Sequence, residues 1–123
     1  MSQPSPTHVP NGIGHFDVAG PDLKPLSRFY QSVFGWKVEP QGPGYALVTT
    51  PAGSPDGALV ESEEPSLTVG IVVPSLERAL ETAVGEGGSV EMPPTDNGWV
   101  RKARVRDPAG NALTLIEGKH RAR

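Results

Sequence analysis

No cysteine occurs among the 123 residues. Disulfides, thiolate metal sites and a cysteine nucleophile are therefore excluded. Long apolar runs are missing as well, and nothing approaches the roughly 20 residues that cross a bilayer. No membrane partner is expected. Positive charge is also in short supply, with 11 Lys and Arg against 14 Asp and Glu and a formal charge of −3. No basic stripe is read, so nucleic acid is not an expected partner. Aromatic residues are 6% and apolar residues 36% of the chain, a globular composition not rich in core material. The lead, Met1 to Pro10, is polar and Pro-rich without a hydrophobic h-region, which predicts a disordered segment and no signal peptide. The expected location is cytoplasmic.

Glycine and proline are what the chain has in quantity, 15 and 14 residues. They predict many turns and short elements. They also reveal a repeat. Pro21-Asp22-Leu23 returns as Pro74-Ser75-Leu76, and Gly35, Pro40 and Gly57 return as Gly88, Pro93 and Gly110. Each separation is the same, 53 positions (74 − 21 = 110 − 57), and a fixed period signals a duplicated supersecondary unit.

Periodicity fills in the unit. Ile13 to Ala19 alternates as a strand, and Asp22 caps a helix carrying Leu26, Phe29, Tyr30, Val33 and Phe34 until Gly35 stops it. Strands follow at Trp36 to Glu39, Tyr45 to Thr49 and Ala58 to Glu61. The second copy opens on Val69 to Val73, and Ser75 caps a helix with Leu76, Ala79, Leu80, Ala83 and Val84. Its later strands are Ser89 to Glu91, Trp99 to Val105 and Asn111 to Glu117, with a flexible stretch from Pro93 to Gly98. The pattern is βαβββ twice, an α+β fold. Residues 11–118 are expected as a single domain of two modules (11–62 and 66–118), and 119–123 as a basic, solvated tail.

Three stretches carry a family likeness: Gly14-His15-Phe16-Asp17-Val18, Arg28 to Val38 with its Phe-Gly-Trp end, and Asp107-Pro108-Ala109-Gly110-Asn111. Over Gly12 to Glu117 the chain resembles the vicinal oxygen chelate superfamily of glyoxalase I, bleomycin-resistance and extradiol-dioxygenase proteins. The resemblance implies paired βαβββ modules with curved mixed sheets enclosing a cleft, a small-molecule ligand, and a homodimer. Metal-using members hold a divalent ion with a His and a Glu from one module and the same kinds from the other. The matching positions here are His15 and Glu61. Adding the 53-residue offset gives Thr68 and Thr114 as their partners, and a hydroxyl is a weak ligand beside imidazole or carboxylate. His15 and Glu61 alone make a partial site, so a divalent metal is expected to be held weakly at best and no cofactor is assured. Glu117 replacing Thr114 is disfavoured, because three residues of alternation send it to the other face.

The remaining candidates divide simply. Trp99 either stacks on a flat ligand or packs in a core or dimer interface. Trp36 and Phe34 pack helix on sheet. His8 and His120 fall in the lead and the tail. Gly85 to Gly88 follows a helix and lacks a Lys-Ser/Thr, so it is no phosphate loop. Three functions stay open: a binding protein with a degenerate metal site, using His15, Glu61, Thr68, Thr114 and Trp99 around its ligand; a metal-dependent lyase, isomerase or dioxygenase using His15 and Glu61; or a metal-free enzyme in which Glu61 orients His15 as a general base.

Overall fold

A computed structural model describes residues 9–96, 98 and 100–118. Eight strands and two helices follow in the order β1 (Ile13–Gly20), α1 (Leu23–Phe34), β2 (Lys37–Pro40), β3 (Tyr45–Thr49), β4 (Gly57–Glu61), β5 (Ser66–Val72), α2 (Leu76–Gly85), β6 (Ser89–Asp96), β7 (Val100–Arg106) and β8 (Ala112–Gly118). The fold is α+β, βαβββ twice over. The chain forms two compact units, one of residues 15–68 and one of residues 9–14 with 69 onward. The divide runs through β1 and β5. Among the described residues no helix is long and apolar enough to cross a membrane.

In the first unit the strand order is β2-β3-β4-β1. β1 and β4 run parallel, with Phe16 opposite Gly57 and Gly20 opposite Glu61, while β2, β3 and β4 pair antiparallel. Helix α1 begins where the Asp22 carboxylate accepts the Lys24 backbone N–H at 3.2 Å. Pro25 sits in the first turn, where an N–H has no helical acceptor to lose. The helix ends at Gly35, whose φ of 72° is a left-handed cap that costs other residues more. Val18, Ala46, Val48 and Leu59 form the core beneath it, with Phe16, Leu26, Tyr30 and Trp36 packed around them. Trp36 stacks on Tyr30, ring centres 5.6 Å apart, and lies 5.1 Å from Phe34, which fastens helix to sheet.

The second unit repeats the plan as β5-β8-β7-β6 around Val73, Leu76, Ala103, Val105 and Leu115. Ser75 caps α2 by accepting the Arg78 N–H at 3.3 Å. β6 is longer than its sequence suggested. It runs through Pro93 and Pro94 to Asp96 with two register shifts, and no flexible gap opens before Asp96. As the edge strand, it can carry prolines without losing ladder bonds. Where the domain begins, Asn11 N–H donates to the Val72 carbonyl at 2.6 Å, and a local turn brings Gly12 N–H to the Val9 carbonyl at 3.0 Å. The rest of the lead (1–8), with His8, and the tail (119–123), with His120, lie outside the described residues.

The Asp-Pro-x-Gly-Asn turn between β7 and β8 is built on one carboxylate. Asp107 accepts from the backbone N–H of Ala109 at 2.9 Å and of Asn111 at 2.8 Å, and from the Asn111 side chain at 3.0 Å. The Asn111 side-chain bond, then the backbone bonds, hold its pKa below the ordinary value. A lowered folded pKa gives stability that is complete above the unfolded value and is lost as pH falls through the folded one. Melting temperature should therefore fall below about pH 4, and the fall should be smaller in Asp107→Asn. Equal acid limbs in the two proteins would contradict this account of the turn.

Candidate functional site

Alternation along β1 sends Phe16 and Val18 into the core and His15 and Asp17 to the opposite face. Two residues apart on one face, they meet: His15 Nε2–H donates to Asp17 Oδ1 at 3.0 Å, both side chains about 30% exposed (31% and 29%). With Nε2 protonated, Nδ1 of the neutral ring is an acceptor. The register continues this face across the sheet. Asp17 stands beside Ala58 and Ala19 beside Val60 on β4, and these stand beside Leu47 and Tyr45 on β3. Burial pushes the Tyr45 phenol pKa up, and the Asp17 carboxylate adds to the effect. Leu47 and Tyr45 are 39% and 40% exposed. The result is an apolar strip of Leu47 and Val60, with Ala58 fully buried between them and Asp17, and three polar groups, His15, Asp17 and Tyr45, along it.

Glu61 is not part of it. It pairs with Gly20, five residues along β1 from His15, so it is about 16 Å away along the strand at ~3.3 Å per residue. Five is odd, so Glu61 also faces the other side of the sheet. There it is exposed, lies against Gly44, and lines a shallow groove with Pro21, Pro43 and Glu63. The structure does not bring His15 and Glu61 together.

The offset argument fails in the last strand for a definite reason. Phe16 pairs with Gly57 and Gly70 with Thr114, separations of 41 (57 − 16) and 44 (114 − 70). The helices keep the 53-residue offset, from Leu23 to Leu76, but β8 is set three residues further along than β4. The positional counterpart of Glu61 is therefore Glu117, not Thr114. Glu117 faces α2, where its carboxylate accepts the Leu76 N–H at 2.9 Å and pairs with Arg101 at 2.8 Å. It stabilises a helix start instead of serving as a ligand. Thr114 corresponds to Ala58 and lies on the face away from α2. Thr68 and Thr114 are both nearly buried, 9% and 6% exposed. Trp99 lies outside the described residues.

A family model described as Glyoxalase/Bleomycin resistance protein/Dioxygenase superfamily matches residues 12–115. The chain belongs to that superfamily. It is 28% identical over 120 residues to "Anthracycline biosynthesis protein DauV" of Streptomyces sp. (strain C5), an overlap of 90% of this chain and 43% of that protein. It thus spans less than half the length of this curated relative. Among solved structures it resembles methylmalonyl-CoA epimerase from Mycobacterium tuberculosis, with TM-score 0.65 and 17% identity over 97% of this chain and 93% of that one. It also resembles the Mn(II)-bound glyoxalase from Novosphingobium aromaticivorans, with TM-score 0.68 and 18% identity over 94% of this chain and 41% of the other. Identities this low show the shared fold alone.

A metal-bound superfamily member raises the question of whether these residues fit an ion. They do not fit one held by His15 and Glu61, which sit on opposite faces of one sheet. Among the described residues no three His, Asp or Glu side chains converge. Asp17 occupies the His15 Nε2 position as a hydrogen-bond partner.

Motif patterns pick out neither Asp17 nor a basic row on β7. Asp17 follows His15 by two, and strand alternation alone would have put them on one face. Lys102, Arg104 and Arg106 alternate with Ala103 and Val105, so a short basic row exists where none was read in the sequence. A search for same-face charge at period two finds both.

Proposed function

We propose that this chain binds a small organic molecule on the face of its first unit that carries His15, Asp17 and Tyr45, without an oriented ion held by His15 and Glu61. The observation that carries the reading is the 3.0 Å His15–Asp17 bond on one face with Glu61 on the other. Membership of a superfamily that includes bleomycin-resistance proteins supports it, as does a relative named for anthracycline biosynthesis. Anthracyclines are accordingly the first ligands to try. A homodimer belongs to the same reading, as the family resemblance implies, and a cytoplasmic location is proposed with it.

Elemental analysis of purified protein and calorimetric titration with an anthracycline panel test it together. Substoichiometric metal is expected in wild type, unchanged in Glu61→Ala. Saturable binding should weaken about tenfold in His15→Ala, the cost of one hydrogen bond to a polar ligand. Stoichiometric metal lost in both variants would overturn the reading.

One observation favours a second reading. An imidazole oriented by a carboxylate, with its other nitrogen an acceptor, is the arrangement of a general base, and Asp17 takes the orienting part that Glu61 was expected to fill. Solvent deuterium entering a carbon acid of a bound ligand, and failing to do so in Asp17→Asn, would favour this enzyme reading over binding alone.

A further inference from the structure

The second unit carries a polar cluster that the His15 face does not explain. On β7, Ala103 and Val105 are buried toward α2, which leaves Lys102, Arg104 and Arg106 on the opposite face. Arg106 is held at two of its nitrogens: Nε donates to Glu91 at 2.5 Å and Nη1 to the Gly110 carbonyl at 2.6 Å. Arg104 is not. Its Nη1 lies 3.9 Å from Glu91, an ion pair too long for a hydrogen bond. Its Nε is buried with no hydrogen-bond partner.

Directly across the ladder from Arg104 stands Thr114. It is 6% exposed, and its Oγ1 is also buried and unpartnered. Adjacent cross-strand side chains on one face sit about 5 Å apart at Cβ. Two such groups left unbonded each cost about 1–3 kcal/mol. Folded proteins seldom leave one unbonded, and here two belong to directly paired residues. Both can donate, one from a guanidinium and one from a hydroxyl, so an oxygen acceptor placed between them would satisfy the pair. The charge of the row selects the kind of oxygen. Glu91 offsets one of the three cations Lys102, Arg104 and Arg106, and the face remains positive although the chain as a whole is at −3. With Nη1 turned toward Glu91, the Nε edge is the part of the Arg104 fork left for an oxyanion.

We infer that Arg104 and Thr114 form a binding site, within the second unit, for one oxyanion, a carboxylate or a phosphate. The inference goes beyond the binding reading above and stands without it. The sequence proposed Thr114 as a ligand residue through its offset from Glu61, whereas Arg104 and the anion come from the β7–β8 register.

The test is calorimetric titration of the full chain with benzoate and, separately, inorganic phosphate at low ionic strength. Saturable binding of at least one is expected, and the tighter of the two identifies the class. Arg104→Gln should weaken it roughly tenfold or more, Arg104→Lys less, and Thr114→Val several-fold. Arg78→Gln, which removes one exposed cation from α2, should leave affinity within about twofold. Melting curves of each variant confirm folding, and the Arg104→Gln result decides the matter if Thr114→Val does not fold. No saturable binding of either anion, wild-type affinity in Arg104→Gln, or an equal loss in Arg78→Gln would each overturn the site. If an uncharged polycyclic ligand still binds in that case, only the anion site falls; stoichiometric metal without ligand binding removes the broader reading instead.

Discussion

Gly57→Ala is expected to cost about 3 kcal/mol or more, beyond the usual range for one added methyl group, and to lower the melting temperature by about 10 °C. A Cβ at Gly57 would lie 2.5 Å from the Phe16 carbonyl oxygen and 2.6 Å from its ring. A flexible side-chain tip could move aside, but a carbonyl in a parallel ladder cannot move without the strand. Phe16 lies between His15 and Asp17 and pairs directly with Gly57, so a displaced Phe16 also moves the two residues that make the 3.0 Å bond. Ligand affinity on that face should therefore fall along with stability. Gly85→Ala is the control, because nothing lies within 4 Å of a Cβ there and its backbone is helical. It should be neutral or stabilising by up to about 1 kcal/mol. Calorimetric melting of the two variants side by side checks the expectation. Wild-type stability in Gly57→Ala would show that the β1–β4 contact is looser than drawn.

The contrast between these glycines mirrors what could and could not be read from the chain. Caps and turns are local, and their residues gave them away: Asp22, Ser75 and Gly35 stand at the helix ends where expected. Tyr45 to Thr49 was legible for the same reason, as a short alternating run with turns on both sides. Register is not local. It depends on how far one strand slides along another, and β6, twice the length of β2 and carrying two register shifts, sets the last strand three residues further along. An odd shift reverses every side chain, and so the expected pairing of Glu61 with Thr114 became a correspondence of Glu61 with Glu117. His15 was found on family likeness, and its partner Asp17 was in plain sequence view two residues away. What hid Asp17 was the family pattern itself, which directs attention to a carboxylate on the last strand. Arg104 was hidden by averaging, because an acidic chain as a whole says nothing about one face of one strand.

Leu76→Ala should remove about 4 kcal/mol, toward the upper part of the range for a buried leucine. The side chain is fully buried (0% exposed) among Val73, Ala103, Val105 and Leu115, and no surface rearrangement can refill the space. Its backbone N–H is also the one that Glu117 holds, so a loosened helix start weakens the Arg101–Glu117–Glu77 cluster above it. Leu76→Met keeps the volume and should cost less than about 1.5 kcal/mol. The expected consequence for recognition differs from that of Gly57→Ala. Ala103 and Val105 alternate with Arg104 on β7, but the cavity opens on the opposite face of these strands, and the β7–β8 ladder that sets Arg104 opposite Thr114 is made of backbone bonds that it leaves intact. Measured well below its own melting temperature, Leu76→Ala should bind benzoate or phosphate within about twofold of wild type. A large loss of anion affinity with the fold intact would mean that the site depends on core packing beneath it. Retained affinity with much reduced stability would place recognition in the strand register alone.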